Sequence, residues 1–299
     1  MATQPLNLAA LPAQAELQAF AAAAAQLLVE RLPRAPGPRV VSRQAGVGLQ
    51  HLDHRDYAPG DEVRHIDWRQ TARRRAPVLR RFEAESAADW TLVLDASSSM
   101  AVHGGAKWRA AVRMAAAMSY ALLQIGHRVG LLVFGTRVRA ECTRGRGPAH
   151  YAAIARLLAT LQPAPAGERS EIAACVPHLH AAGSVFALSD CLAADEMRRA
   201  LAALLQRCTA MHVVQVSDTA DATLPLAGEF DLVDVETGAR RPVWADAPAH
   251  AAAAAERAAM TVRLRRFCSR SGVAFTDWDI ARAWQHTLLR HLVQARRHC

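Results

Sequence analysis

The chain alternates short apolar runs with longer stretches of helical spacing. Trp90-Thr-Leu-Val-Leu94, Arg128-Val-Gly-Leu-Leu-Val-Phe134, Ser184-Val-Phe-Ala-Leu188, Met211-His-Val-Val-Gln-Val216 and Val273-Ala-Phe-Thr-Asp277 have strand length and few polar positions. Runs of this kind suit strands covered on both faces. Between them, Lys107 to Ile125 places Trp108, Val112, Ala115, Met118 and Leu122 on one helical face. Further helices are predicted at 149–161, 170–182, 193–207, 249–271 and 280–296. Val138–Cys142 reads as a short edge strand, and residues 229–244 as a hairpin turning at Glu236-Thr237-Gly238. Strands separated by helices imply βαβ units, so the expected fold class is α/β, a doubly wound, mainly parallel sheet flanked by helices. No internal repeat is visible.

Ahead of this pattern the chain changes character twice. Residues 13–32 carry Leu17, Phe20, Ala24, Leu27 and Leu28 at helical spacing, which predicts a helix packed on the main body. Pro33 ends it, and Arg34-Ala-Pro-Gly-Pro38 reads as a linker. From Val40 to Phe82 the sequence is charge-dense with no sustained period. Tyr57-Ala-Pro-Gly60-Asp61 suits a type II turn, after which Asp61, Arg64, Asp67 and Arg73 alternate in sign around Ile66 and Trp68. This predicts an ion-paired structural segment anchored by a buried Trp68. The expected organisation is 1–38 helix and linker, 39–88 a distinct segment, and 89–299 the α/β domain with the hairpin near 229–244.

Polar residues collect where three strands or loops end: Asp95-Ala-Ser97-Ser98-Ser99 after the first strand, Ser170-Glu171 after a Pro/Gly loop, and Ser189-Asp190 after the third strand. Doubly wound sheets bind ligands beyond the carboxyl ends of their strands. Carboxylates and hydroxyls are hard oxygen donors of the kind Mg2+ takes. In an Asp-x-Ser-x-Ser loop, alternate side chains can turn toward one point. The same residues are also ordinary caps and loop formers, so the string by itself leaves both readings open.

Two strings together resemble a known family. Tyr57-Ala-Pro-Gly60-Asp61-Glu-Val-Arg64-His-Ile66-Asp67-Trp68 with Ala72-Arg73, followed by Asp95-x-Ser97-x-Ser99, resembles the bacterial domain-of-unknown-function family 58 (DUF58), a branch of the von Willebrand factor A superfamily. The likeness runs from about Arg43 to the end of the C-terminal helix. It implies a metal-ion-dependent adhesion site in which Ser97 and Ser99 ligate Mg2+ (or Mn2+) directly. Asp95 and Asp190 would act directly or through water, and Ser170 would stand where the superfamily has threonine. Tyr57, Gly60, Asp61, Arg64, Asp67, Trp68 and Arg73 carry over as a structural signature. Gln50 and His51 depart from the Glu-Phe that often follows the glycines, here Gly46 and Gly48. The resemblance further implies a protein partner presenting Asp or Glu, a non-enzymatic role, and an association with a MoxR-type AAA+ ATPase or its client in protein remodelling or maturation.

Composition bears on the alternatives. The net charge is +9, yet Lys107 is the sole lysine, and the Arg- and Ala-rich bias is that of a GC-rich genome. Arg73-Arg74-Arg75, Arg80-Arg81 and Arg263-Leu-Arg265-Arg266 would carry an arginine-rich nucleic-acid-binding reading. Their competing role is as solvated faces and as partners for Asp61, Asp67 and Glu83, and aromatics at 5% are too few for a stacking platform. A hydrolase, including a metal-dependent one, would have to use the same loop. A serine nucleophile calls for a Gly-x-Ser-x-Gly elbow and a haloacid-dehalogenase-like phosphotransferase for a second Asp where Ser97 stands, and the sequence has neither. Gly104-Gly105-Ala-Lys107 lacks the spacing of a phosphate-binding loop. The six cysteines show no regular spacing, the N-terminal stretch lacks the basic start expected of a signal peptide, and no apolar run reaches the ~18 residues of a membrane span. A soluble, cytoplasmic protein is expected.

Overall fold

The structure, a computed structural model, describes residues 11–28, 51–56, 66–74, 77–82, 88–180, 183–192, 194–222 and 227–296. The chain forms two compact units, one from residues 1–30 with 88–299 and the other from 31–87.

The larger unit is built on a six-stranded sheet. Its strands are β3 (Asp89–Asp95), β4 (Arg128–Phe134), β5 (Val138–Gly145), β6 (Gly183–Ser189), β7 (Cys208–Ser217) and β10 (Ala274–Asp279), in the order β10-β7-β6-β3-β4-β5. All neighbours pair in parallel except the edge strand β5, which runs antiparallel to β4. The mainly parallel, doubly wound α/β fold expected from the apolar runs is therefore the fold observed.

Alternation along each strand divides the core into two layers, since successive side chains point to opposite faces. Leu92 and Leu94, Leu131 and Val133, Phe186 and Leu188, and Val214 and Val216 face one layer. That layer is closed by α1 (Gln14–Leu28), α3 (Val102–Gln124), α4 (Gly147–Thr160) and α7 (Trp284–Ala295). Val93, Leu132, Val185, Ala187, Met211 and Val213 face the other, under α5 (Ala194–Leu205), α6 (Ala247–Arg270) and the segment Ile172–His178. In α3, Ala111, Ala115, Ala116, Ala117 and Ala121 are at most 1% exposed, so a long helix sits close on the sheet. The Phe20 and Trp284 rings meet edge to face at 5.3 Å, seating α1 against α7.

Two expectations change. The helix predicted over 170–182 is a 3₁₀ segment, Ile172–His178, with Pro177 inside it. A proline there removes a backbone donor and opposes an α-helical turn. The helix predicted from 280 begins at Trp284, after a turn in which Asp279 Oδ1 accepts Ala281 N–H at 2.9 Å.

The smaller unit is more regular than its sequence suggests. β1 (His51–Asp56) pairs antiparallel with β2 (Val78–Phe82), and α2 (Trp68–Arg74) lies between them in sequence. Asp67 Oδ1 accepts the N–H groups of Arg69 and Gln70 at 3.0 and 3.2 Å, capping α2. Trp68 is 66% exposed, contrary to the buried anchor expected, because it opens α2 while its neighbour Asp67 turns inward at 7%. Arg73 is exposed. Tyr57, Gly60, Asp61 and Arg64, like the linker and the stretch holding Gly46, Gly48 and Gln50, lie outside the described residues.

Two neighbouring histidines are buried together in the larger core. His212 Nδ1 lies 3.1 Å from His291 Nε2, and His291 Nδ1 lies 2.9 Å from Thr276 Oγ1. Burial pushes His212 down to about 4, and burial plus the neighbouring ring pushes His291 well below the ordinary range. Both fold as neutral rings, so their contribution to stability is complete above the ordinary value near 6.5 and is lost as pH falls toward 4. Lowering the pH from 7 to 5 should cost about 2 kcal/mol through His212 alone. In urea unfolding at both pH values, His212→Gln should show less of this loss than the wild type.

Candidate functional site

The strand order reverses between β3 and β6. From β3 the chain moves through β4 to β5 on one side, then through β6 to β7 and β10 on the other. That reversal opens a crevice at the carboxyl ends of β3 and β6. Asp95 ends β3, and Ser189 ends β6 with Asp190 following.

The loop after β3 is pinned on both sides. Ala96 N–H donates to the Phe134 carbonyl and its own carbonyl accepts Ala164 N–H, both at 2.7 Å. Asp95 Oδ1 accepts Ser97 N–H at 2.9 Å, which turns the chain back over the strand end. The serines then alternate. The Ser97 and Ser99 hydroxyls meet at 3.0 Å. Ser98 points away from them, donating to the Pro165 carbonyl and accepting Glu168 N–H at 3.0 Å. The loop that leads to Ser170 is thereby sewn to the loop after β3.

Asp95 is the hub. Its Oδ2 accepts Ser170 Oγ at 2.5 Å and Ser189 Oγ at 2.6 Å, so one carboxylate joins three loops. Asp95 and Ser97 are 0% exposed, Ser99 1% and Asp190 2%; Ser170 is half-buried. Asp95, Ser97, Ser99 and Ser170 thus form one connected network. Asp190 lies close enough for its charge to act on Asp95. Burial and that charge together push Asp95 up to about 6, against the pull of its hydrogen bonds from Ser170, Ser189 and Ser97.

Four further residues belong to the cluster. Ser189 was visible in the sequence but shared its position with the more conspicuous Asp190. Lys107 is 2% exposed, with Nζ 3.0 Å from both Asp190 Oδ2 and Asp221 Oδ2. Burial opposes its charge, but the two aspartates outweigh burial and hold its pKa above the ordinary value. Asp221, in the short 3₁₀ turn after β7, also meets His103 Nε2 at 3.2 Å and Arg257 Nη1 at 3.4 Å. Ahead of Lys107 the chain makes a left-handed turn through His103, Gly104 and Gly105, where φ is 53°, 67° and 74°. Glycine takes this conformation without strain, whereas His103 does so at some cost. A sole lysine one turn before Ala111 on the buried stripe of α3 was the available signal for Lys107.

The fourth is Glu236, at the tip of the hairpin of β8 (Gly228–Val233) and β9 (Arg240–Ala245). Its Oε2 lies 3.4 Å from Ser170 N. Burial raises its pKa, the Ser99 hydroxyl and Ser170 N–H favour its ionised form, and Asp190 disfavours it. Asp190 Oδ1 and Glu236 Oε1 are both buried without a hydrogen-bond partner.

Chemically this is a crevice of hydroxyl and carboxylate oxygens. Among the described residues no three of His, Cys, Asp and Glu gather as metal ligands. A cation here would therefore depend on serine hydroxyls, which suits a hard divalent ion and not a soft one.

A family model described as "Protein of unknown function DUF58" matches residues 53–262. Uncharacterized protein Rv1480 of Mycobacterium tuberculosis and uncharacterized protein Mb1516 of Mycobacterium bovis are each 30% identical over 262 residues, covering 84% of this chain and 81% of theirs. A solved structure, that of conserved hypothetical protein BatB from Bacteroides thetaiotaomicron, is similar over 70% of this chain and 99% of its own. The TM-score is 0.37 at 10% identity.

The Lys107 ion pairs lead to a direct expectation. Lys107→Met leaves two buried carboxylates without their ammonium and should cost about 3–5 kcal/mol in denaturant unfolding. Adding Asp190→Asn and Asp221→Asn should return part of that loss. A cost below about 1 kcal/mol would mean that Lys107 is not their counter-ion.

Proposed function

The chain belongs to the DUF58 family of proteins of unknown function, and on that premise we propose that it is a non-enzymatic protein-interaction module with an adhesion-type metal site. Mg2+ or Mn2+ would be held by Ser97, Ser99 and Ser170, with Asp95 and Asp190 acting directly or through water. The ion would supply a Lewis-acidic position that a partner's Asp or Glu completes. The likeness of the two sequence strings to the von Willebrand factor A superfamily suggests this chemistry. A MoxR-type AAA+ ATPase or its client is the partner class that the family resemblance implies.

The observation that carries the reading is the convergence of three loops on buried oxygens at the topological switch point, with Asp190 Oδ1 left without a partner at 2% exposure. A buried carboxylate oxygen with no donor costs free energy, and a hard cation removes that cost. The donor set fits Mg2+ or Mn2+ because all its atoms are oxygens, the donors that hard divalent cations take. The hydroxyls themselves argue against hydrolysis. Ser97 and Ser99 bond to each other, Ser170 and Ser189 bond to Asp95, and among the described residues no histidine ring hydrogen-bonds to any of the four. None of these four hydroxyls therefore has the histidine base of a Ser–His nucleophile pair.

Millimolar Mg2+ or Mn2+ should raise the melting temperature, by the equivalent of about 3 kcal/mol at a hundred times the dissociation constant. Ser97→Ala should fold and lose that shift. An unchanged wild-type melting temperature across this range would refute the metal reading. Pull-down with and without chelator, read by mass spectrometry, then identifies the partner: recovery that depends on the metal is the expected result.

A further inference from the structure

We propose that Glu236 is the site's own acidic ligand, a carboxylate delivered by the β8–β9 hairpin that completes the cation's oxygen shell and must leave before a partner's Asp or Glu can enter. The inference rests on the adhesion-type reading above and adds a regulator to it.

The hairpin tip is built for this position. Asp234 Oδ1 accepts the N–H groups of Glu236 and Thr237 at 2.8 and 3.3 Å, fixing a turn that Gly238 closes at a φ of 71°. Gly167 N–H donates to the Val235 carbonyl at 2.8 Å, tying the tip to the loop that carries Ser170. Glu236 Oε2 lies 3.4 Å from Ser170 N, and the carboxylate also interacts with the Ser99 hydroxyl and feels the charge of Asp190. It thus stands among three of the five proposed ligand residues.

The unmet valences in the crevice point the same way. Asp190 Oδ1 and Glu236 Oε1 are buried carboxylate oxygens, and neither has a hydrogen-bond donor. Lys107 reaches Asp190 through the other oxygen and is shared with Asp221. Two neighbouring carboxylates repel unless positive charge lies between them. A divalent cation among Ser97, Ser99, Asp190 and Glu236 would satisfy both oxygens at once. Away from its tip much of the hairpin is open to solvent: Leu232, Val233 and Trp244 are 39%, 50% and 64% exposed, while Ala245 at its end is buried. Withdrawing Glu236 therefore breaks contacts at the turn and leaves the two core layers intact.

The test uses the full chain, Mn2+ as the probe, and Glu236→Gln, which keeps side-chain size and an acceptor for Ser170 N–H. Calorimetric titration and water-proton relaxation are measured for wild type, Glu236→Gln and Ser97→Ala. The expected result is an Mn2+ affinity about tenfold or more weaker in Glu236→Gln than in wild type. Its bound Mn2+ should relax water faster, because water replaces the carboxylate. N-acetylglutamate amide, added to the Mn2+-saturated proteins, should bind Glu236→Gln at least tenfold more tightly than wild type. If Glu236→Gln matches wild type in all three readouts while Ser97→Ala takes no Mn2+, Glu236 is not a ligand and the adhesion-type site stands without it. If wild type and Glu236→Gln both take no Mn2+, the adhesion-type reading fails, and this inference with it.

Discussion

Everything at the carboxyl end of the sheet depends on burying negative charge. Asp95 ends β3 and Asp190 follows the adjacent parallel β6, at 0% and 2% exposure, close enough for the charge of Asp190 to act on Asp95. Such a pair persists only when the protein supplies compensation. Asp95 obtains it from hydroxyls, through Ser170 and Ser189, and from the backbone N–H of Ser97. Asp190 obtains it from the buried ammonium of Lys107, on one oxygen only. The remaining oxygen gives the site its chemical character.

Topology brings these groups together. Because β3 lies between β4 and β6, the loop after β3 and the loop after β6 open on the same crevice, and the loop after α4 crosses it to deliver Ser170. No single loop holds enough oxygens to bind an ion. After the left-handed turn at residues 103–105, α3 carries Lys107 to Asp190 and Asp221. The hairpin tip adds Glu236 beside Ser99 and Ser170. Burying this much negative charge is costly, and the donors it gathers are all oxygens, the kind that small, hard cations take.

Much of the fold was legible because buried parallel strands announce themselves as apolar runs, and Leu92, Val133, Phe186 and Val214 all fall in such runs. The alternation of Ser97, Ser98 and Ser99 was legible too, since a turn after a strand sends neighbouring side chains opposite ways. Other features depend on distant partners and left weaker traces. Residues 40–82 show no period, yet contain a two-stranded sheet, because a short pair of strands needs no long apolar repeat. Trp68 looks like an anchor by composition, but the Asp67 cap fixes the start of α2 and leaves the ring outside. Lys107, on the helix after β3, and Asp221, after β7, are far apart in sequence and meet because β3, β6 and β7 are successive neighbours in the sheet. Nothing local marks Glu236 as more than a turn residue.

We propose that these oxygens bind a divalent cation. The most direct measurement is an anomalous difference map from crystals grown with Mn2+. If the site binds the ion as proposed, the map shows one strong peak about 2 Å from the Ser97 and Ser99 hydroxyl oxygens, with Asp95 and Asp190 beside it. A map without that peak, with Asp190 held by Lys107 alone and the serines bonded only to each other, would contradict the proposal.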